Sequence, residues 1–198
     1  MRRVAKRRTG FSLVELIVAL TVAIILVAVG TPIFLRAYRI YELNNAARQV
    51  ADTLRLARYE AIRQNRPVNC MIQATGSTPP TTNVWVDSDF SGGVANGVPD
   101  PTEKIILLGS GGNLTSPPGT PPPIGSDIGS LFVYPPSPTA SSVKFDARGA
   151  VNPATRVYVF YLDSALAPEA GYRAVVLMPA GTIQIWTADL SLSWQQLR

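Results

Sequence analysis

The hydrophobic pattern divides the chain into three stretches of different period. Residues 11–35 carry a single charge, Glu15, and Arg36 ends the apolar run. Twenty-five residues at ~1.5 Å per residue make a helix of roughly 38 Å, longer than the ~30 Å hydrocarbon core of a bilayer. Residues 16–35 hold thirteen Leu, Ile, Val or Phe, which favour insertion by roughly 4–8 kcal/mol. A glutamate costs up to about 3 kcal/mol at the bilayer centre and less near an end. Insertion prevails.

From Arg36 to about residue 65 the apolar positions change to a single stripe, Ile40, Leu43, Ala47, Val50, Leu54, Ala57 and Ala61, at steps of three and four. This pattern predicts that the helix continues as an amphipathic stretch over 36–66, with one face turned to a core. Off the stripe, Arg48 with Asp52 and Glu60 with Arg63 stand at pairing distance along a helix. The continuous helix would be about 80 Å long. Its weak point is Gly30-Thr31-Pro32, because proline lacks the N–H and clashes with the carbonyl four residues back; Gly30 and Pro32 mark a kink or a segment able to melt.

After Pro67 the period falls to two. Val68, Cys70 and Ile72 share one parity, so Cys70 is expected to point inward as a small apolar side chain. Further strands are predicted at 83–87, 103–108, 131–134, 142–146, 156–162, 172–178 and 182–187, the last two forming a hairpin around Pro179-Ala180-Gly181. Short strands behind one amphipathic helix predict an α+β fold, in which the long N-terminal helix packs on an antiparallel β-sandwich covering 67–198. Residues 74–141 contain twelve of the seventeen prolines, and within them 109–129 is expected to form a long surface loop.

Composition narrows the chemistry. The 198 residues contain no histidine and one cysteine, which removes Ser–His–Asp and Cys–His nucleophiles, internal disulfides and most zinc sites. No nucleophile elbow or phosphate-cradling glycine loop is present, so an enzyme is not expected, and no cofactor. The net charge of +5 belongs wholly to Arg2, Arg3, Lys6, Arg7 and Arg8; the rest of the chain balances at zero. Five cations before the apolar segment orient its N-terminus to the cytoplasm and place the remainder across the membrane. A cleavable secretory signal ending at Ala28-Val29-Gly30 fits less well, because its apolar region is too long and Pro32 follows closely.

A carboxylate inside a lipid-facing helix calls for a partner. The string Gly10-Phe11-Ser12-Leu13-Val14-Glu15-Leu16 closely resembles the type IV prepilin N-terminus shared by pilins and pseudopilins. That resemblance implies a leader, 1–10, cut after Gly10 by a prepilin peptidase, with Phe11 becoming the N-methylated first residue. It implies further that Glu15 pairs with a neighbouring subunit's N-terminal ammonium during assembly, and that Pro32 marks a stretch that melts when subunits pack. Ala57-Arg58-Tyr59-Glu60-Ala61-Ile62-Arg63 before Pro67-Val68, Val84-Trp85-Val86-Asp87, Val143-Lys144-Phe145 with Gly149, and Arg173-Ala174-Val175 before Gly181 resemble the GspH/FimT group of minor pseudopilins. The implied function is a minor subunit at or near the tip of a type II secretion pseudopilus or type IV pilus. Implied partners are major and minor pilin-like subunits, the peptidase and an inner-membrane assembly platform, with the chain single-pass in a bacterial inner membrane.

Two other readings compete. DNA binding for natural transformation would use the basic helix, with Arg55, Arg58, Arg63 and Arg66 as contacts. Residues 36–66 hold seven arginines against three acids, but the chain after Pro67 has six bases against nine acids and offers no cationic cluster. Calcium could be held by Asp87, Asp89, Asp100 and Glu103, yet counting from Asp87 the third ligand position of an EF-hand falls on Ser91 and the twelfth residue is Val98, neither a carboxylate. An acidic turn between strands accounts for the same residues.

Overall fold

The computed structural model describes residues 12–75, 81–88, 97–99, 101, 103–108, 111–124, 132–133 and 140–197. The chain divides into two compact units, Met1–Tyr38 and Arg39–Arg198, and helix α1 (Leu13–Gln64) contributes to both.

In the first unit every residue from 12 to 38 is exposed, including Leu13 at 75% and Phe34 at 69%. The stretch is long and apolar enough to cross a membrane. Thr21 and Thr31 return their hydroxyls to the carbonyls of Ile17 and Val27, at 2.8 and 2.7 Å. That bonding hides two polar groups which hydrocarbon could not satisfy. The helix runs unbroken through Gly30 and Pro32.

The second unit begins with the amphipathic part of α1. Leu43, Ala46, Ala47, Val50, Ala51, Leu54, Ala57 and Ala61 are buried, which reproduces the sequence stripe from Leu43 onward and adds two further alanines. Five of these eight are alanine, so the β-sheets can approach the helix backbone closely. One sheet has the order β3-β2-β1-β6-β7, from β1 (Val68–Thr75), β2 (Thr81–Asp87), β3 (Ile106–Leu107), β6 (Ala140–Phe145) and β7 (Val151–Asn152). The other has the order β11-β10-β9-β8-β4, from β4 (Asn113–Thr115), β8 (Val157–Asp163), β9 (Tyr172–Leu177), β10 (Ile183–Ala188) and β11 (Gln195–Leu197). β5 (Phe132–Val133) joins β8 in parallel; every other pairing is antiparallel. The α+β expectation therefore holds.

The main core lies between helix and sheets. Val68, Cys70, Ile72, Val84, Val143 and Phe145 from one sheet meet Phe160, Leu162, Val175 and Leu177 from the other, with the α1 stripe among them. Cys70 points inward as its parity predicts, and burial pushes its thiol up to about 12. A second cluster occupies the opposite face of the second sheet, where Ile124 packs with Val157, Val159, Tyr161, Ala174 and Val176, flanked by Met178, Trp186 and Trp194. This explains why β8 reads as a continuous apolar run: both of its faces are covered.

The second cluster corrects the reading of 109–129 as a surface loop. Among its described residues, 111–114, Pro122 and Ile124 are buried, and β4 lies within it. A side chain on Gly111 would put its Cβ 2.5 Å from Glu42 Cβ, so glycine here serves close approach to α1 rather than flexibility. Three short strands, β4, β7 and β11, are absent from the sequence prediction. Each has only two or three residues, too few for a period to register.

Candidate functional site

Two places carry the sequence-predicted chemistry. At the N-terminus, Gly10 and Phe11 lie outside the described residues, as does the leader. Glu15 stands in the first turn of α1, where a carboxylate is favoured by the helix dipole. It is the one charged residue among a run of exposed apolar side chains.

The second place is the basic side of α1 within the second unit, where the four arginines considered for DNA contact have separate surroundings. Arg55 pairs with Asp52 at 2.6 Å, so Asp52 turns to Arg55 and not to Arg48, the partner that the sequence spacing suggested. Arg63 donates from Nε and Nη2 to Glu60 Oε2 at 3.0 and 2.7 Å, the pairing expected from sequence. Arg66 donates from Nη2 to the Ser88 carbonyl at 3.0 Å and from Nε to Gln64 Oε1. Arg58 donates from Nη1 to the Gly181 carbonyl at 3.0 Å. Each guanidinium thus engages its own chain.

The acidic residues are likewise dispersed in role. Asp87 is fully buried at the end of β2, and its Oδ2 accepts the Gly97 N–H at 2.9 Å. Glu103 accepts the Ser88 N–H at 2.8 Å. Asp89 and Asp100 lie outside the described residues. Among the described residues no three His, Cys, Asp or Glu side chains converge as metal ligands.

Arg173 was not singled out as a functional residue by sequence reasoning, although its motif was noticed. Only 4% exposed, it donates from Nε to Asn44 Oδ1 at 2.6 Å and from Nη1 to the carbonyls of Ala170 and Tyr172 at 3.2 and 2.9 Å. Desolvation lowers its pKa from the ordinary arginine value. The signal was available in β9: Arg173 shares parity with Val175 and Leu177, both of the main core. An arginine on the inward face of a strand must find acceptors, and Asn44 of α1 supplies one.

Among the described residues, two grooves lie beside α1. One, of about 180 Å³, is lined by Leu56, Glu60, Arg63, Val86, Glu103 and Lys104 among others. The other, of about 350 Å³, lies between α1 and the β10–β11 end of the second sheet.

Comparison with known proteins bears on both places. A family model described as type II transport protein GspH matches residues 46–181, and one described as the prokaryotic N-terminal methylation motif matches residues 5–31. Two crystal forms of the type IV minor pilin FimU of Pseudomonas aeruginosa are similar in structure. They are 18% and 16% identical, with TM-scores of 0.44 and 0.43. The matches cover 80% and 79% of this chain and 94% and 98% of those chains. No curated protein matches.

Proposed function

The chain belongs to the GspH family of type II transport proteins, and from that membership we propose that it is a minor pseudopilin, a structural subunit at or near the tip of a type II secretion pseudopilus or a type IV pilus. The observation that carries this reading is the exposed apolar helix with one carboxylate in its first turn, inside the stretch that matches the methylation motif. Such a surface must be covered by lipid before assembly and by other subunits after it. In this reading the leader is cut after Gly10 on the cytoplasmic side and Phe11 receives the methyl group. The Glu15 carboxylate then meets the new ammonium of a neighbour. Two charges that are each costly in hydrocarbon become tolerable as a contact pair, so Glu15 favours the assembled state over the lone anchor.

The globular unit lies in the periplasm, held to the inner membrane until the assembly platform extracts it. It presents surfaces to the other pilin-like subunits and contributes no catalysis of its own. DNA uptake is the weaker reading, since Arg55, Arg58, Arg63 and Arg66 already bond within the chain.

Intact-mass measurement after co-expression with a prepilin peptidase tests the reading. Loss of residues 1–10 with gain of one methyl group is expected. Retention of the leader, or a cut at Gly30, overturns it.

A further inference from the structure

The second sheet ends at β11, and among the described residues β11 pairs only with β10, through Gln195, Gln196 and Leu197. Gln196 and Leu197 of β11 also line the larger groove beside α1. The inward face of this end of the sheet is incompletely covered: Ile183 and Ile185 pack against the main core yet stay only partly buried. Leu197, opposite Ile185 in register, continues that apolar floor. The wall formed by α1 carries Arg48, Asp52 and Arg55. Asp52 is held by Arg55, whereas Arg48 has no ion pair among the described residues and is exposed.

An open strand edge, an apolar floor and a cationic wall define a specific occupant. A strand added to β11 would satisfy the free backbone groups of the edge, and its alternate side chains would point toward α1. Those side chains meet two guanidinium groups and one carboxylate that is already neutralised, so acidic residues at every second position complement them. We propose that the β11 edge and the groove beside α1 bind an extended acidic segment of a partner protein as an added antiparallel or parallel strand. This surface uses residues of the second unit only and includes neither Glu15 nor the apolar residues 13–35 to which the assembly contacts are attributed.

The test uses the full chain in detergent micelles and fluorescent, end-blocked peptides of about eight residues, one alternating Glu and Thr and one alternating Lys and Thr. Fluorescence anisotropy should show binding of the Glu peptide that weakens with salt. In hydrogen exchange the amides of Gln195–Leu197 should slow when that peptide is present. Arg48→Ser with Arg55→Ser should weaken binding about tenfold or more, the scale of losing charged contacts at an interface, while Arg63→Ser, on the other groove, should leave it unchanged. Both arginines are exposed, so the double variant should fold, as circular dichroism can verify. Equal binding of the Lys peptide, no binding of either, unslowed β11 amides or an unaffected double variant would overturn the proposal. So would slowed β11 exchange that rises with protein concentration without peptide, which would assign the edge to a second copy of the chain.

Discussion

Arg58 Nη1 donates to the carbonyl oxygen of Gly181 at 3.0 Å, joining α1 to the turn between β9 and β10 across 123 positions of sequence. The same side chain touches the turn between β6 and β7. A Cβ built on Gly149 would lie 3.1 Å from Arg58 Cγ, and one on Gly181 would lie 2.5 Å from the Gly149 carbonyl oxygen and 2.8 Å from Arg58 Nε. Turns from both sheets therefore close on one arginine, and both glycines have positive φ, +77° and +79°. Gly181→Ala combines an unfavourable backbone conformation of about 1–2 kcal/mol with a clash against backbone that typically costs ~1–3 kcal/mol. Arg58→Ala should cost about 1–3 kcal/mol by leaving the carbonyl unpaired. Urea unfolding of the full chain in micelles measures both. A loss under 0.5 kcal/mol for Gly181→Ala, below the ~1 kcal/mol scale of either effect, would show that the junction is looser than described.

The proline-rich segment before β5 provides the next prediction. Trp194 Nε1 donates to the Thr120 carbonyl at 2.8 Å, and its ring lies 5.9 Å from that of Tyr161. Ile124 is buried beneath, on the outer face of the second sheet. The segment thus acts as a strap that covers apolar surface. Trp194→Phe keeps a ring against Tyr161 but loses the donor, and should cost about 0.5–1.5 kcal/mol. Ile124→Ala should cost more, about 2–4 kcal/mol, by opening a cavity. Thermolysin, which cuts before apolar residues such as Leu114, should also cut the Ile124→Ala variant sooner within the strap. Equal stability of that variant and the parent would mean that the strap contributes nothing to the fold.

The sequence made some of these features legible and hid others for identifiable reasons. The stripe from Leu43 to Ala61 emerged because a helix repeats its face many times. Cys70 was placed correctly because Val68 and Ile72 flank it with the same parity. The strap was missed because proline and glycine announce turns and exposure, while the burial of Pro122 and Ile124 depends on an apolar sheet face formed by residues far along the chain. At the basic helix the spacing pointed to Arg48 as the partner of Asp52, whereas Asp52 is taken by Arg55, three residues on, because a helix brings both i−4 and i+3 neighbours within reach.

Asp163, at the end of β8, gives a pH-dependent prediction. Burial is the largest influence and raises its carboxyl pKa, with a hydrogen bond from the Thr115 side chain acting in the opposite direction. A carboxylic acid whose folded pKa exceeds its unfolded value contributes stability below the unfolded pKa and loses that contribution as pH rises through the folded one. At neutral pH the half-buried charge is therefore a burden. Asp163→Asn, neutral at all pH, should be more stable than the parent at pH 7, and the difference should shrink as acid protonates Asp163. Denaturant midpoints at several pH values between about 3 and 7 check this. A difference that grows on acidification would mean that the folded state favours the charged form.

Glu15 separates anchoring from assembly. Replacing it by leucine removes the costliest group from the apolar stretch, by up to about 3 kcal/mol at mid-bilayer and less near its end. Glu15→Leu should accordingly insert at least as well as the parent, resist extraction from membranes by alkaline carbonate, and still lose its leader, because the proposed cut after Gly10 precedes it in the sequence. What it should lose is the proposed pairing with a neighbour's N-terminal ammonium. Its share in sheared filaments should fall about tenfold or more, which corresponds to ~1.4 kcal/mol or more of assembly free energy. Glu15→Asp shortens the reach without removing the charge and should fall between the two. Undiminished recovery of Glu15→Leu in filaments would show that assembly rests on the apolar helix surface alone and that the carboxylate has another role.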